Sequence, residues 1–170
     1  MNFDNKPAGF RARKFRDLYE THGGNVYNYL LWMTKDAETS QDVLQTVFIR
    51  AWESKSLPEN EEALKRWLFT TARNAFFDSY RSHARLSRLR ARYSREFYQA
   101  PHAAPGGFFG EILSECSEGE RGILYLHFKA GYSYAEIGTI LDLSEANVRV
   151  KACRAIKRLR EIYARRKRDE

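Results

Sequence analysis

The chain has little of what builds disulfide scaffolds, metal sites or membrane spans. Its only cysteines, Cys116 and Cys153, are far apart with no paired Cys-x-x-Cys spacing, so neither a disulfide framework nor a zinc site is indicated. Four histidines, His22, His83, His102 and His127, fall at spacings that match no ligand pattern and read as surface or packing residues. No stretch approaches the roughly 20 apolar residues that cross a bilayer, and Met1 to Lys14 lacks the apolar run of a signal peptide. A cytoplasmic protein without an integral membrane segment is expected. No cluster of nucleophile and basic partners suggests catalysis, so neither an enzymatic activity nor a cofactor is expected. Strand-like alternation is scarce as well. Acidic residues are also in deficit, 22 against 29 basic ones, which leaves a net charge of +7.

That excess is concentrated. Arg81, Arg85, Arg88, Arg90, Arg92 and Arg95 form one block and Arg149 through Arg168 another. Two basic blocks point to two contacts with a polyanion: nucleic acid first, through displaced counterions, with an acidic membrane surface as the plainer option. Apolar residues recur at helical spacing, which predicts an all-α fold: two small helical domains joined by a flexible linker, the second a helix-turn-helix. The linker is set by Gln99 to Gly107, where Pro101 and Pro105 precede a glycine pair. Expected bounds are 1–95, 96–111 for the linker, and 112–170.

In the first domain Phe15, Leu18 and Tyr19 open a helix that Gly23-Gly24 is expected to interrupt, and Val26, Tyr29, Leu30 and Met33 continue its apolar face. Thr39 to Asp42 supplies a capping signal for the next helix, whose buried face carries Val43, Leu44, Val47, Phe48, Ala51 and Trp52. Its other face holds Asp42, Gln45, Thr46, Ile49 and Glu53, an isoleucine among polar groups that is either tolerated or the apolar centre of a protein-binding surface. After a polar loop, 54–62 with Pro58, a third helix packs Ala63, Trp67, Leu68, Thr71, Ala72, Ala75 and Phe76 inward. Its remaining faces mix Arg66, Arg73, Asn74 and Arg81 with Phe69, Phe77 and Tyr80. Rings and arginines together suit unpaired bases, although rings at helical spacing also pack against cores.

The second domain is more decisive. Ser117-x-x-Glu120 caps a helix with Ile123, Leu124 and Phe128 inside, ending at Gly131, and Ser133-x-x-Glu136 caps a short helix with Ile137, Ile140 and Leu141 inside. Asp142-Leu143 turns tightly into Ser144, the cap of a third helix. There Val148, Ala152, Ala155, Ile156 and Leu159 form the buried face. Ala146, Asn147, Val150, Arg154 and Lys157 lie opposite, flanked by Arg149, Lys151 and Arg158. Amide, apolar and basic groups on one exposed face can read a major groove, Asn on adenine, Arg on guanine and Val on a thymine methyl. A charged, solvated bundle helix is the plainer alternative, but two consecutive caps before a basic helix match a helix-turn-helix better.

These segments resemble bacterial RNA polymerase sigma factors of the extracytoplasmic-function (ECF) group. Asp42 to Trp52 is similar to that family's D-x-x-Q-x-x-F-x-x-A-W helix. Trp67-Leu68 with Ala72-Arg73-Asn74 and Asp78 resembles its W-L-x-x-x-A-R-N-x-x-x-D segment, and Gly131 to Ile137 with Val148 to Lys151 and Arg154-Ala155 resembles its second DNA-binding domain. The resemblance implies a promoter-specificity factor with core RNA polymerase and promoter DNA as partners and an anti-sigma protein as regulator. Asp42, Gln45, Phe48 and Ile49 would dock on the clamp of the largest polymerase subunit. Asn60, Arg66, Trp67, Arg73, Asn74 and Arg81 would hold the melted minus-ten element, and the helical pattern adds Phe77 and Tyr80 to them. Ser144, Asn147, Arg149, Val150, Lys151, Arg154 and Lys157 would read the minus-thirty-five duplex. Thr46 departs from the family's frequent Glu, and Asn147 and Val150 replace frequent hydroxyl residues, so the promoter sequence does not carry over. The rivals are a stand-alone helix-turn-helix regulator on operator DNA and a recombinase-like enzyme with a helix-turn-helix tail.

Overall fold

The computed structural model describes residues 8–93 and 115–169, and the expected linker, 96–111, lies outside them. The described residues form six helices: α1 (Ala8–Thr34), α2 (Ala37–Glu53), α3 (Glu61–Tyr93), α4 (Glu118–Phe128), α5 (Tyr134–Leu141) and α6 (Glu145–Asp169). None of them is long and apolar enough to cross a membrane.

Helix α1 runs unbroken through Gly23-Gly24, against the expected interruption. Each glycine costs about 1 kcal/mol in a helix relative to alanine. Tertiary burial outweighs that cost: Val26, Tyr29, Leu30 and Met33 are all within 1 % of full burial. The cap of α2 also lies earlier than the pattern suggested. Asp36 accepts from the Thr39 amide at 2.8 Å, while Ser40, fully buried, donates to the Asp36 carbonyl at 2.6 Å and pairs with Thr34 Oγ1 at 2.7 Å. Ser40 belongs to the α1–α2 corner and caps nothing. Val43, Leu44, Val47, Phe48 and Ala51 are buried as expected, whereas Trp52 is 39 % exposed, edge-on to Phe15. Arg50 and Asp78, 3.3 Å apart, tie α2 to α3.

Both carboxy-terminal capping boxes close in both directions. Ser117 and Glu120 exchange bonds at the start of α4, and Ser133 and Glu136 do so at the start of α5. Gly131 at φ 79° follows α4, and Asp142 at φ 53° ends α5. Gly138 then matters sterically, because a Cβ there would lie 2.6 Å from the Leu143 carbonyl oxygen. Only glycine lets the turn fold back so tightly. Leu126, Ile137, Ile140, Val148, Ala152 and Ala155 fill the space between α4, α5 and α6. Phe128, assigned inward by its spacing, is instead 62 % exposed, and Tyr125 and Leu126 take the interior positions. Cys116 is buried and Cys153 exposed, so only the first acts as a core residue.

The two modules are not separate. One apolar cluster runs from Val26, Leu30 and Phe48 through Phe69 to Ile123, Ile137 and Val148. Aromatic edges make the joint: Tyr29 meets Phe69 at 5.4 Å and Tyr125 at 5.7 Å, Trp32 meets Tyr125 at 5.2 Å, and Phe69 meets Tyr132 at 5.7 Å. Burial pushes the Tyr125 and Tyr132 phenols up to about 12. A Cβ on Gly122 would come within 2.8 Å of Met33 Sδ, so α4 lies directly on α1.

The capping boxes carry a pH signature. Hydrogen bonds from Ser133 hold the Glu136 carboxyl below its ordinary 4.5. At Glu120 burial pushes upward, but bonds from Ser117 and Arg158 outweigh it and leave that carboxyl lowered too. A carboxyl depressed on folding stabilises above its unfolded value and loses that contribution as pH falls below it. Ser133→Ala is therefore expected to cost about 1 kcal/mol at neutral pH. In urea melts compared from pH 7 to pH 3, the difference from the unsubstituted chain should shrink below about pH 4.5. A difference independent of pH would contradict the capping role of Glu136.

Candidate nucleic-acid interface

Two surfaces carry the chemistry that the pattern singled out, and each is built by burying the reverse of a helix. On α6, Val148, Ala152 and Ala155 are at most 1 % exposed. The stripe opposite is open: Asn147, Val150, Arg154 and Lys157 are exposed, as are Ser144, Arg149 and Lys151 around it. Ser144 Oγ accepts from the Asn147 amide at 3.3 Å and caps the helix start. Arg158, expected on the outer flank, is instead held by Glu120 at 2.5 Å and braces α6 against α4.

Arg149 sits on a platform that the sequence did not announce. His127 Nδ1 donates to the Tyr132 carbonyl at 2.9 Å, which fixes the imidazole plane. Tyr134, the first residue of α5, stacks on that ring at 4.4 Å and 26°. The Arg149 guanidinium lies over the Tyr134 ring, 5.7 Å from its centroid, with Glu145 Oε1 at 2.5 Å. A stacked aromatic pair restricts the guanidinium's freedom before any phosphate arrives. The only local sequence signal was an aromatic residue inside a capping box.

The second surface belongs to α2 and α3. Asp42, Gln45 and Ile49 are exposed on α2, with Ile49 at 55 %. Phe48, grouped with them from the sequence, is 3 % exposed and packs on Phe15 and Tyr19, so it supports that surface from beneath. On α3, Asn74, Tyr80 and Arg81 are exposed while Arg66, Trp67, Arg73 and Phe77 are half-buried. The Arg73 guanidinium lies 5.4 Å from the Phe77 ring. Asn60 is exposed and caps α3, its Oδ1 accepting from the Ala63 amide at 3.0 Å. Phe69, assigned to an outer face, is 4 % exposed, because Tyr29 and Tyr132 enclose it. Beside it a crevice of about 130 Å³ places Arg73 and Phe77 opposite Leu143 and Lys151, so the two surfaces meet at their edges.

Beneath the loop between α2 and α3 lies a larger cavity, about 250 Å³, lined by Arg11, Lys14, Phe15, His22, Trp52 and Pro58 among others. Arg11 donates to the Trp52 carbonyl and stacks on its ring. His22 is 5 % exposed, 3.6 Å from Glu61, and burial lowers its pKa although Glu61 pulls the other way. Among the described residues no group of histidines, cysteines or carboxylates could hold a metal ion.

Known proteins share this architecture. The Sigma-70 region 2 family matches residues 18–86, and the Sigma-70, region 4 family matches residues 112–161. The ECF RNA polymerase sigma factor SigM of Bacillus subtilis is 32 % identical over 160 residues, covering 91 % of this chain and 98 % of its own. The chain belongs to the ECF RNA polymerase sigma factors. SigX of the same organism is 30 % identical over 159 residues (86 % and 82 % covered), and SigL of Mycobacterium tuberculosis 28 % over 163 residues (90 % of each). In fold, this sigma factor is similar to RpoE of Bartonella quintana in complex with the anti-sigma factor NepR, with TM-score 0.70 and 22 % identity over 89 % of this chain and 98 % of that one. It is also similar to CnrH in complex with the cytosolic domain of CnrY, with TM-score 0.64 and 24 % identity over 90 % and 89 %. Promoter selection is the function of this sigma factor; a stand-alone operator-binding regulator is not favoured.

If Tyr134 positions Arg149, the two residues are coupled in binding duplex DNA. Tyr134→Ala and Arg149→Ala should each weaken binding to a minus-thirty-five duplex. The double variant should fall short of the sum by about 0.5 to 1 kcal/mol. Strict additivity in that cycle would remove the platform's role.

Proposed function

We propose that this sigma factor divides promoter capture among three surfaces. The exposed α2 face of Asp42, Gln45 and Ile49 docks on the clamp of the largest polymerase subunit, with Phe48 beneath it. The loop 54–60 and α3, through Arg66, Trp67, Arg73, Asn74, Phe77, Tyr80 and Arg81, hold the separated minus-ten strand. The cavity under the loop, with rings and cations in its wall, offers a base and its phosphate what they need. Helix α6 reads the minus-thirty-five duplex, Asn147, Val150 and Arg154 on base edges and Ser144, Arg149, Lys151 and Lys157 on phosphates. Catalysis remains with the polymerase, and the protein acts in the cytoplasm.

The observation that carries this reading is the α6 stripe. An amide, an aliphatic and two basic side chains stand exposed at successive turns of a helix whose reverse is buried at Val148, Ala152 and Ala155, behind two capped helices. An anti-sigma protein is the regulator we expect, in line with the fold shared with RpoE, which was solved with one.

Transcription by purified core polymerase on a genomic template, with the start sites mapped, tests the proposal. Addition of the protein should create starts that share two upstream sequence blocks, and absence of such starts would refute it. Ile49→Asp should weaken core binding by tenfold or more, as a charge replaces the apolar centre of a contact, with an unchanged melting temperature. Normal core affinity would move the docking face elsewhere. Arg154→Ala should cost about 1 to 3 kcal/mol at the upstream block and relax selection at one base pair. Unchanged selectivity would remove Arg154 from the base readers.

A further inference from the structure

Helix α6 is longer than the fold needs. Among the residues whose burial is described, the last fully buried one is Ala155, and Ile156, Leu159 and Ile162 are half-buried at most, yet the helix continues to Asp169. The Sigma-70, region 4 match ends at residue 161, so the final two turns lie beyond what this chain shares with that pattern. Those turns are basic and open: Arg165, Lys167 and Arg168 are exposed.

Their register is what gives them meaning. Asn147, Val150, Arg154, Lys157, Glu161, Arg165 and Arg168 follow one another by three or four residues, and at 100° per residue all fall within an arc of about 80°. The stripe proposed to read DNA therefore continues, on the same side of the helix, into Arg165 and Arg168. Cations in a last helical turn also suit the negative end of the helix dipole. That effect accounts for their charge but not for their alignment. Elsewhere on α6, Arg149 and Arg158 each hold a carboxylate, that of Glu145 and that of Glu120.

We propose that the end of α6 is a second DNA contact, an arm that grips the phosphate backbone bordering the groove in which Asn147 to Lys157 lie. At about 1.5 Å per residue, Arg165 and Arg168 stand roughly 16 and 21 Å beyond Arg154, more than the width of a major groove, about 12 Å. They are past the base edges and level with the flanking phosphates. Glu161, exposed between the two basic segments, disfavours a phosphate at its own position and so separates the groove contact from the backbone contact. An arm of this kind adds affinity without sequence preference.

The inference rests on α6 being the duplex reader, and one set of measurements separates the two claims. Core polymerase carrying the full chain is titrated with a start-mapped promoter fragment between about 50 and 200 mM salt, using the unsubstituted protein, Arg154→Ala, and Arg165→Ala/Arg168→Ala. The double variant should bind several-fold more weakly at low salt, equally on native and substituted upstream elements. Its salt slope should be smaller by up to about 2, near 0.9 per lost phosphate contact. Its melting temperature should not move, since both side chains lie outside the core. An unchanged slope overturns the arm even where Arg154→Ala loses selectivity, and a loss of core affinity with an unchanged slope assigns the arm to polymerase and overturns it as well. If Arg154→Ala leaves selectivity intact, the reading of α6 itself has failed.

Discussion

A guanidinium from one module closes the end of a helix in the other. Arg121, 6 % exposed on α4, donates through Nη2 to the Met33 carbonyl at 2.6 Å and through Nη1 to the Cys116 carbonyl at 2.5 Å, with Glu118 at 3.8 Å. Met33 lies in the last turn of α1, where carbonyls have no helical partner and the helix dipole is negative. Lys35, left-handed at φ 60°, turns the chain away and leaves that end open to the cation. Tyr125 adds a bond from its hydroxyl to the Asn25 carbonyl at 3.0 Å, and Gly122 permits the close approach. The aromatic joint forms around this anchor. Burial lowers the Arg121 pKa, but an arginine keeps its charge, so the two carbonyls are a structural requirement.

The same joint is imperfectly satisfied. Arg121 Nε and the hydroxyls of Tyr29 and Tyr132 are buried without a hydrogen-bond partner, and each such group costs about 1 to 3 kcal/mol. Three unpartnered polar groups make this joint costly to keep closed. Promoter elements centred ten and thirty-five base pairs upstream are about 80 Å apart on duplex DNA. Here Arg73 and Phe77 of α3 share a crevice with Lys151 of α6. On the assignment proposed above, that arrangement is too close for both elements to be held at once. The α6 stripe stays open in this arrangement, while Phe69 is enclosed and Phe77 half-covered.

Features set by a few neighbouring residues were the legible ones. The Ser117 and Ser133 boxes, the turn at Asp142 and the split faces of α6 each follow from spacing within one or two turns. Features that depend on distant partners were not. Gly23-Gly24 signals a break until Phe48 and α4 bury the helix around it, and Phe69 looks like an outer ring until Tyr132 covers it. Phe48 sits inside a family motif, which made it a candidate for the polymerase surface although its ring is internal. The Tyr134 platform required three helical segments to converge, so no local pattern contained it.

The central claim is that one chain carries two DNA anchors that are folded together at rest and drawn apart at work. It is tested most directly by the distance between labels on Glu20→Cys and the exposed native Cys153, while Cys116, buried and with its thiol pushed up by burial, stays unmodified. Free protein should give a single short separation, and assembly with core polymerase and promoter should lengthen it by tens of ångströms. An unchanged separation in complexes that nonetheless produce promoter-specific transcripts would contradict the claim.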